Sequence, residues 1–92
     1  MNLDQLKISW NSRGYSFGVF KDPSGQVWAD FVHTTDELVV LAEGEIEIEI
    51  EGKSQRPQIR EEVFIPAFAT HTVKNVGSMG NVWYYGYRKE YN

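Results

Sequence analysis

The sequence predicts an all-β domain, a sandwich or closed barrel, and three observations lead there. Turn-forming clusters recur at short intervals: "NSRG" at 11–14, "KDPSGQ" at 21–26, "AEGE" at 42–45, "EGKSQRP" at 51–57, "IPAFA" at 65–69 and "NVGSMGN" at 75–81. The runs between them are rich in Val, Ile, Phe, Tyr and Trp and too short for helices. The length, 92 residues, suits one domain over 1–92 with a single core, and no helix, internal repeat or linker is expected.

The clearest strand is "EIEIEIE", Glu45 to Glu51. Alternation puts Ile46, Ile48 and Ile50 on the core face and the glutamates in water, where the acidic row discourages edge-to-edge association. The preceding "ELVVLAE", Glu37 to Glu43, is apolar on both faces, because Leu38 and Val40 accompany Val39 and Leu41. Such a strand must be covered twice. A second sheet or a second subunit is the simplest outer cover, and this is the first pointer to a homodimer. In "VWYYGYRKEY", Trp83, Tyr85 and Tyr87 share one face of a strand and Val82 and Tyr84 the other. Such aromatics suit a core or interface, and Trp83 or Tyr85 is a candidate for a ligand pocket.

Composition excludes several functions. With no cysteine, there is neither a disulfide framework nor a thiolate-held zinc or iron–sulfur centre, and His, Asp and Glu remain as the strong ligands. The net charge of −4 has no basic stripe, so no nucleic-acid partner is expected. The opening "MNLDQLKISW" lacks a basic segment followed by an apolar run, and no stretch approaches the roughly 20 apolar residues of a membrane span. The expectation is a soluble cytoplasmic protein with no membrane partner. No G-x-S-x-G elbow and no phosphate-cradling glycine loop appears.

The chemistry concentrates in "FVHTTDE", Phe31 to Glu37. Strand alternation places Phe31 and His33 on one face, and a tight turn through "TTD" can return the Glu37 carboxylate toward the imidazole. The second and last histidine, His71, lies in "IPAFATHTVKN". Glu37 with His33 would also serve as a metal-free acid–base pair.

His33, Glu37 and Gly44 have the spacing H-x3-E-x6-G, and Pro66, His71 and Asn75 have P-x4-H-x3-N. Together, in this order, they resemble the two motifs of the cupin superfamily, over most of the chain from about Trp28 to Asn75. "DPSGQVWADFVHTTDELVV" with the late "WYYGY" is similar, more narrowly, to small single-domain cupins of the conserved-barrel type. The resemblance implies a jelly roll, two antiparallel sheets closed into a barrel. It also implies a divalent metal held by His33, Glu37 and His71, with Phe31 standing where a further histidine is usual.

Two imidazoles and one carboxylate are a ligand set of non-haem iron and, with water, of catalytic zinc. Iron, zinc, manganese and nickel all remain open. Phe31 would wall the vacated position, and Val39, Leu41, Trp83 and Tyr85 are the further candidate pocket residues. Arg60 and Phe68 stand where the second motif usually has glycine, and a bulky side chain there could displace His71. Two functions follow. One is a metal-dependent enzyme, a dioxygenase or isomerase acting on a small molecule. The other is a non-catalytic module that captures a small ligand in a degenerate site. A homodimer is expected in either case, with Trp10 and Trp28 serving assembly more than metal.

Overall fold

The computed structural model describes residues 2–89, so Tyr91 lies outside the described residues. The described residues form one helix, α1 (Leu3–Ser12), and eight strands: β1 (Gly18–Asp22), β2 (Val27–Phe31), β3 (Glu37–Glu43), β4 (Glu47–Ile50), β5 (Lys53–Gln55), β6 (Glu62–Ile65), β7 (His71–Lys74) and β8 (Asn81–Tyr87). They make two four-stranded antiparallel sheets in the orders β1-β8-β3-β6 and β2-β7-β4-β5. The all-β jelly roll expected from the sequence is the observed architecture.

The core between the sheets follows the alternation read from the sequence. Val39 and Leu41 of β3, Val63 and Ile65 of β6 and Trp83 of β8 meet Ile48 and Val73 from the other sheet and Ile46 just before β4. Fully burying an aliphatic side chain of this size contributes about 1.5–3 kcal/mol.

Helix α1 corrects the expectation of a helix-free chain. Leu3, Leu6 and Trp10 fall at i, i+3 and i+7, a stripe too short to stand out in ten residues. Its ends carry local signals. Asn2 is the N-cap and accepts from the Asp4 N–H at 2.7 Å. At the other end the N–H of Gly14 reaches Asn11 O and that of Tyr15 reaches Trp10 O, with Gly14 at φ 86°, so "NSRG" is a glycine-terminated helix end.

The helix also answers the question of the doubly apolar strand. Leu6 and Trp10 pack on Leu38 and Val40, the outer face of β3, together with Tyr15, Phe17 and Tyr84. The outer cover is therefore supplied by this chain, and β3 no longer argues for a second subunit. Gly86 makes the close approach possible, since a Cβ there would stand 2.8 Å from the Trp10 ring and clash with the Ser16 carbonyl. Glu62 of β6 pins the helix, accepting from Trp10 Nε1 and from both terminal nitrogens of Arg13 at 2.9 Å. That paired guanidinium holds the Glu62 carboxyl below its usual range, against the opposing effect of burial.

Candidate metal centre and cavity

Three backbone features bring the distant residues together. Glu37 opens β3 in the middle of its sheet, between Ile65 of β6 and Tyr87 of β8. His71 opens β7 opposite Phe31 of β2. Between Trp28 and Phe31 the register of β2 shifts, so that two residues, Ala29 and Asp30, oppose one, Thr72. Asp30 takes φ 57° there and gives its N–H to the Thr72 hydroxyl at 3.0 Å. This is a β-bulge. Simple alternation would send Trp28 and Phe31 to opposite faces, but the extra residue turns both toward the same cavity.

His33 lies beyond the end of β2 rather than on it, and a turn holds it in place. Its carbonyl accepts from Phe68 N–H at 2.7 Å. The neighbouring Asp36 accepts from Ala67 N–H at 2.8 Å through its side chain and from Arg88 N–H at 2.9 Å through its carbonyl. Arg60 and Phe68, the two departures from glycine, both keep the left-handed backbone that glycine would adopt, at φ 76° and 67°. The turn thus retains its shape, and His71 is not displaced.

His33 Nε2 and His71 Nε2 lie 3.6 and 3.4 Å from the same oxygen, Glu37 Oε1. All three donor atoms fall within 4.8 Å of one another. Glu37 is 3% exposed, and its Oε1 is buried without a hydrogen-bond partner. Both approaches are longer than an ordinary N–H···O bond. They are spacings at which side chains share one cation. His71 Nδ1 faces the Ala69 carbonyl at 3.0 Å. A proton on Nδ1 leaves the Nε2 lone pair on the Glu37 side, and metal-bound histidines commonly donate their other ring N–H to a carbonyl in this way. An orphaned carboxylate oxygen between two imidazoles is the donor set a divalent cation needs, and the residues present fit one.

Two groups at the site have displaced acidities. Burial pulls the His71 pKa down, but the approach of Glu37 and the Ala69 carbonyl outweigh it, and the pKa is raised. Tyr87, whose hydroxyl lies 3.4 Å from His33 Nε2, is pushed up to about 12 by burial, by the Glu37 charge and by Tyr85. It remains a protonated phenol at neutral pH, available to donate a hydrogen bond into the cavity.

The cavity above this trio has a volume of about 190 Å³. Phe20, Trp28, Phe31, Val73 and Trp83 form its apolar side, and His33, Glu37, His71 and Tyr87 its polar end. Phe31 and Trp83 thus lie where the sequence expected pocket residues. Val39, Leu41 and Tyr85 do not line it. Val39 sits in the closed core layer, Leu41 belongs to the same core but borders other hollows beside Ile59 and Arg60, and Tyr85 lies behind the wall, stacked on Phe20 at 4.6 Å. Trp28 lines the cavity, and Trp10 packs between the helix and β3.

Sequence reading missed Tyr87, Phe20, Trp28 and Val73 as lining residues. Parity with Trp83 could have found Tyr87, whereas Trp28 required knowledge of the bulge.

No family model and no curated protein sequence matches the chain. Solved structures do. The cupin domain of Schizosaccharomyces pombe Cnp3 superposes with a TM-score of 0.76 at 18% identity, covering 84% of this chain and 57% of that one. The chain thus spans little more than half of that domain's length. The Cupin_2 domain of an XRE family transcriptional regulator from Enterobacter cloacae gives a TM-score of 0.76 at 18% identity, covering 89% and 90%. A salicylate 1,2-dioxygenase from Pseudaminobacter salicylatoxidans gives 0.74 at 16%, covering 80% of this chain and 22% of its own. The two sheets, their strand order and these superpositions establish that the chain has the cupin fold.

Proposed function

We propose that the protein is a small metalloprotein in which His33 Nε2, Glu37 Oε1 and His71 Nε2 hold one divalent cation, and that it acts on a small molecule admitted to the cavity, as a dioxygenase or an isomerase. The observation that carries this reading is the unpartnered Glu37 Oε1, buried between two imidazoles at 3.4 and 3.6 Å. A buried carboxylate oxygen without a donor costs several kcal/mol unless something cationic meets it. When bound, the metal supplies Lewis acidity or a place for oxygen and substrate to meet.

This chain's own residues do the rest. The Ala69 carbonyl orients His71. The Phe68 N–H fixes the His33 turn. The Tyr87 hydroxyl offers a hydrogen bond to a ligand oxygen, and Phe31, Trp28 and Trp83 keep water from the apolar side. Among the structural neighbours, one is a dioxygenase and another a domain of a transcriptional regulator, so the fold does not choose between catalysis and ligand sensing. One observation favours the second reading, capture without turnover: Phe31 removes a ligand position and stands at the mouth, 39% exposed.

Titration of metal-free protein with Zn(II), Ni(II), Mn(II) and anaerobic Fe(II) tests the reading. At a hundredfold excess over Kd, binding adds about 2.7 kcal/mol, which in a domain of this size raises Tm by about 10 °C or more. The reading requires such a rise with at least one ion and its loss in Glu37→Gln. No shift with any ion, or an equal shift in Glu37→Gln, would overturn it. Oxygen uptake or substrate isomerisation by the loaded protein separates enzyme from binding module.

A further inference from the structure

Asp22 ends β1 in the segment "KDPSGQ", which reads as an ordinary turn. In the fold its carboxyl group is buried. One oxygen, Oδ2, accepts from two indole N–H groups at once, Trp28 Nε1 and Trp83 Nε1, each at 2.9 Å. The two indoles come from different sheets, Trp28 from β2 and Trp83 from β8. Both line the cavity, and Phe20, from the same strand as Asp22, packs against them at 5.8 and 4.9 Å between ring centroids. Phe31 continues the aromatic wall from Trp28, at 6.2 Å, to the two imidazoles, at 6.0 and 6.3 Å. A single buried oxygen therefore fixes the orientation of two rings of a four-ring wall that ends at the metal-ligating trio.

We infer that Asp22 is a positioning residue that sets the cavity's specificity: it fixes an aromatic slot that accepts a flat, unsaturated ring carrying an anionic oxygen donor and discriminates against a puckered saturated ring. The inference rests on the metal reading above, because the oxygen donor is placed by the cation at His33, Glu37 and His71.

Size, charge and wall chemistry agree. An apolar cavity of roughly 150 Å³ holds one benzene, so a cavity of about 190 Å³ takes one six-membered ring and a small head group. A divalent cation beside one carboxylate keeps a net positive charge that an anionic donor neutralises. Ring faces and edges meet aromatic walls in offset or tilted contacts that a saturated ring cannot reproduce. The slot keeps this selectivity only while Trp28 and Trp83 hold their orientation, and Asp22 alone bonds to both.

The test uses the Zn(II)-reconstituted protein and two probes of equal charge and ring size, benzoate and cyclohexanecarboxylate, followed by calorimetry and tryptophan fluorescence. The wild type should bind benzoate about tenfold more tightly, the upper worth of one ring–ring contact. Asp22→Ala should take up the same zinc yet bind the two acids within about twofold of each other. Asp22→Asn, which keeps an acceptor oxygen, should restore part of the discrimination, as a merely structural role would not require. Should Asp22→Ala fail to fold, Trp28→Leu, at a half-exposed position, must reduce the ratio instead. Zinc uptake with equal affinities for the two acids, with no binding of either, or with discrimination undiminished in the Asp22→Ala protein (or in Trp28→Leu, where that variant stands in) would overturn the inference and leave the metal reading intact. Failure to take up zinc or any other ion would remove both.

Discussion

Replacing Phe68 by glycine should make the protein more stable than replacing it by alanine. Phe68 sits at φ 67°, in the tight turn whose N–H holds the His33 carbonyl, and its side chain is 68% exposed. Both substitutions delete the same largely solvated ring, so its small packing loss cancels between them. What differs is the backbone. A residue with a Cβ in the left-handed region carries a penalty of about 1–2 kcal/mol, and glycine escapes it. Glycine's greater freedom in the unfolded chain takes back about 0.5–1 kcal/mol, leaving about 0.5–1 kcal/mol in favour of Phe68→Gly. For a chain of 92 residues this corresponds to a Tm about 2–8 °C higher. Thermal melts of metal-free protein, with urea midpoints at unchanged m-value, measure it. An Ala variant as stable as the Gly variant would refute the claim that this turn keeps a glycine-type backbone against its own side chain. Arg60, at φ 76° with its N–H on the Leu41 carbonyl, should order its Gly and Ala variants in the same way.

The metal-free and metal-loaded proteins should respond to pH in opposite directions. His71 has a raised pKa in the fold, so its contribution is complete below the ordinary histidine value near 6.5 and is lost as pH rises through the raised one. A metal requires the neutral imidazole, and the Tm gap between loaded and empty protein should therefore widen from about pH 6 to 8. A gap that narrows would contradict the ligation of His71. Phe31→His places an imidazole where the ring now lies 6.0 and 6.3 Å from the two others. It should raise metal affinity at least about tenfold in a chelator competition by adding a fourth ligand; an unchanged affinity would mean that position 31 does not reach the ion.

Strand content and core were legible because burial on one face imposes a period of two, as in Ile46 and Ile48 against the row of glutamates. The site was legible because His33, Glu37 and His71 keep fixed spacings around turns whose backbone survives even where Arg60 and Phe68 replace glycine. Helix α1 was hidden because it buries only Leu6 and Trp10, too few for a periodic signal, and its stability comes from packing on β3 rather than from propensity. The outer face of β3 was read correctly as needing a cover, but sequence cannot say whether the cover arrives from the same chain. The cavity wall was only half legible. A bulge changes parity without marking composition, so Trp28 was assigned elsewhere, and parity cannot say that Val39 sits in the core layer, that Leu41 borders other hollows or that Tyr85 stacks behind Phe20. Asp22 read as a turn residue because its partners come from strands 6 and 61 positions away.

Three side chains should hold a metal although Phe31 stands where the resembled motif has a further histidine. Plasma mass spectrometry on tag-free protein, comparing the wild type with His33→Ala and His71→Ala, tests it most directly. Near-stoichiometric metal is expected in the wild type and none in either variant. A wild type that stays empty after reconstitution with iron, zinc, manganese and nickel would contradict it, and Glu37 would then be a buried carboxylate balanced by a protonated imidazole alone.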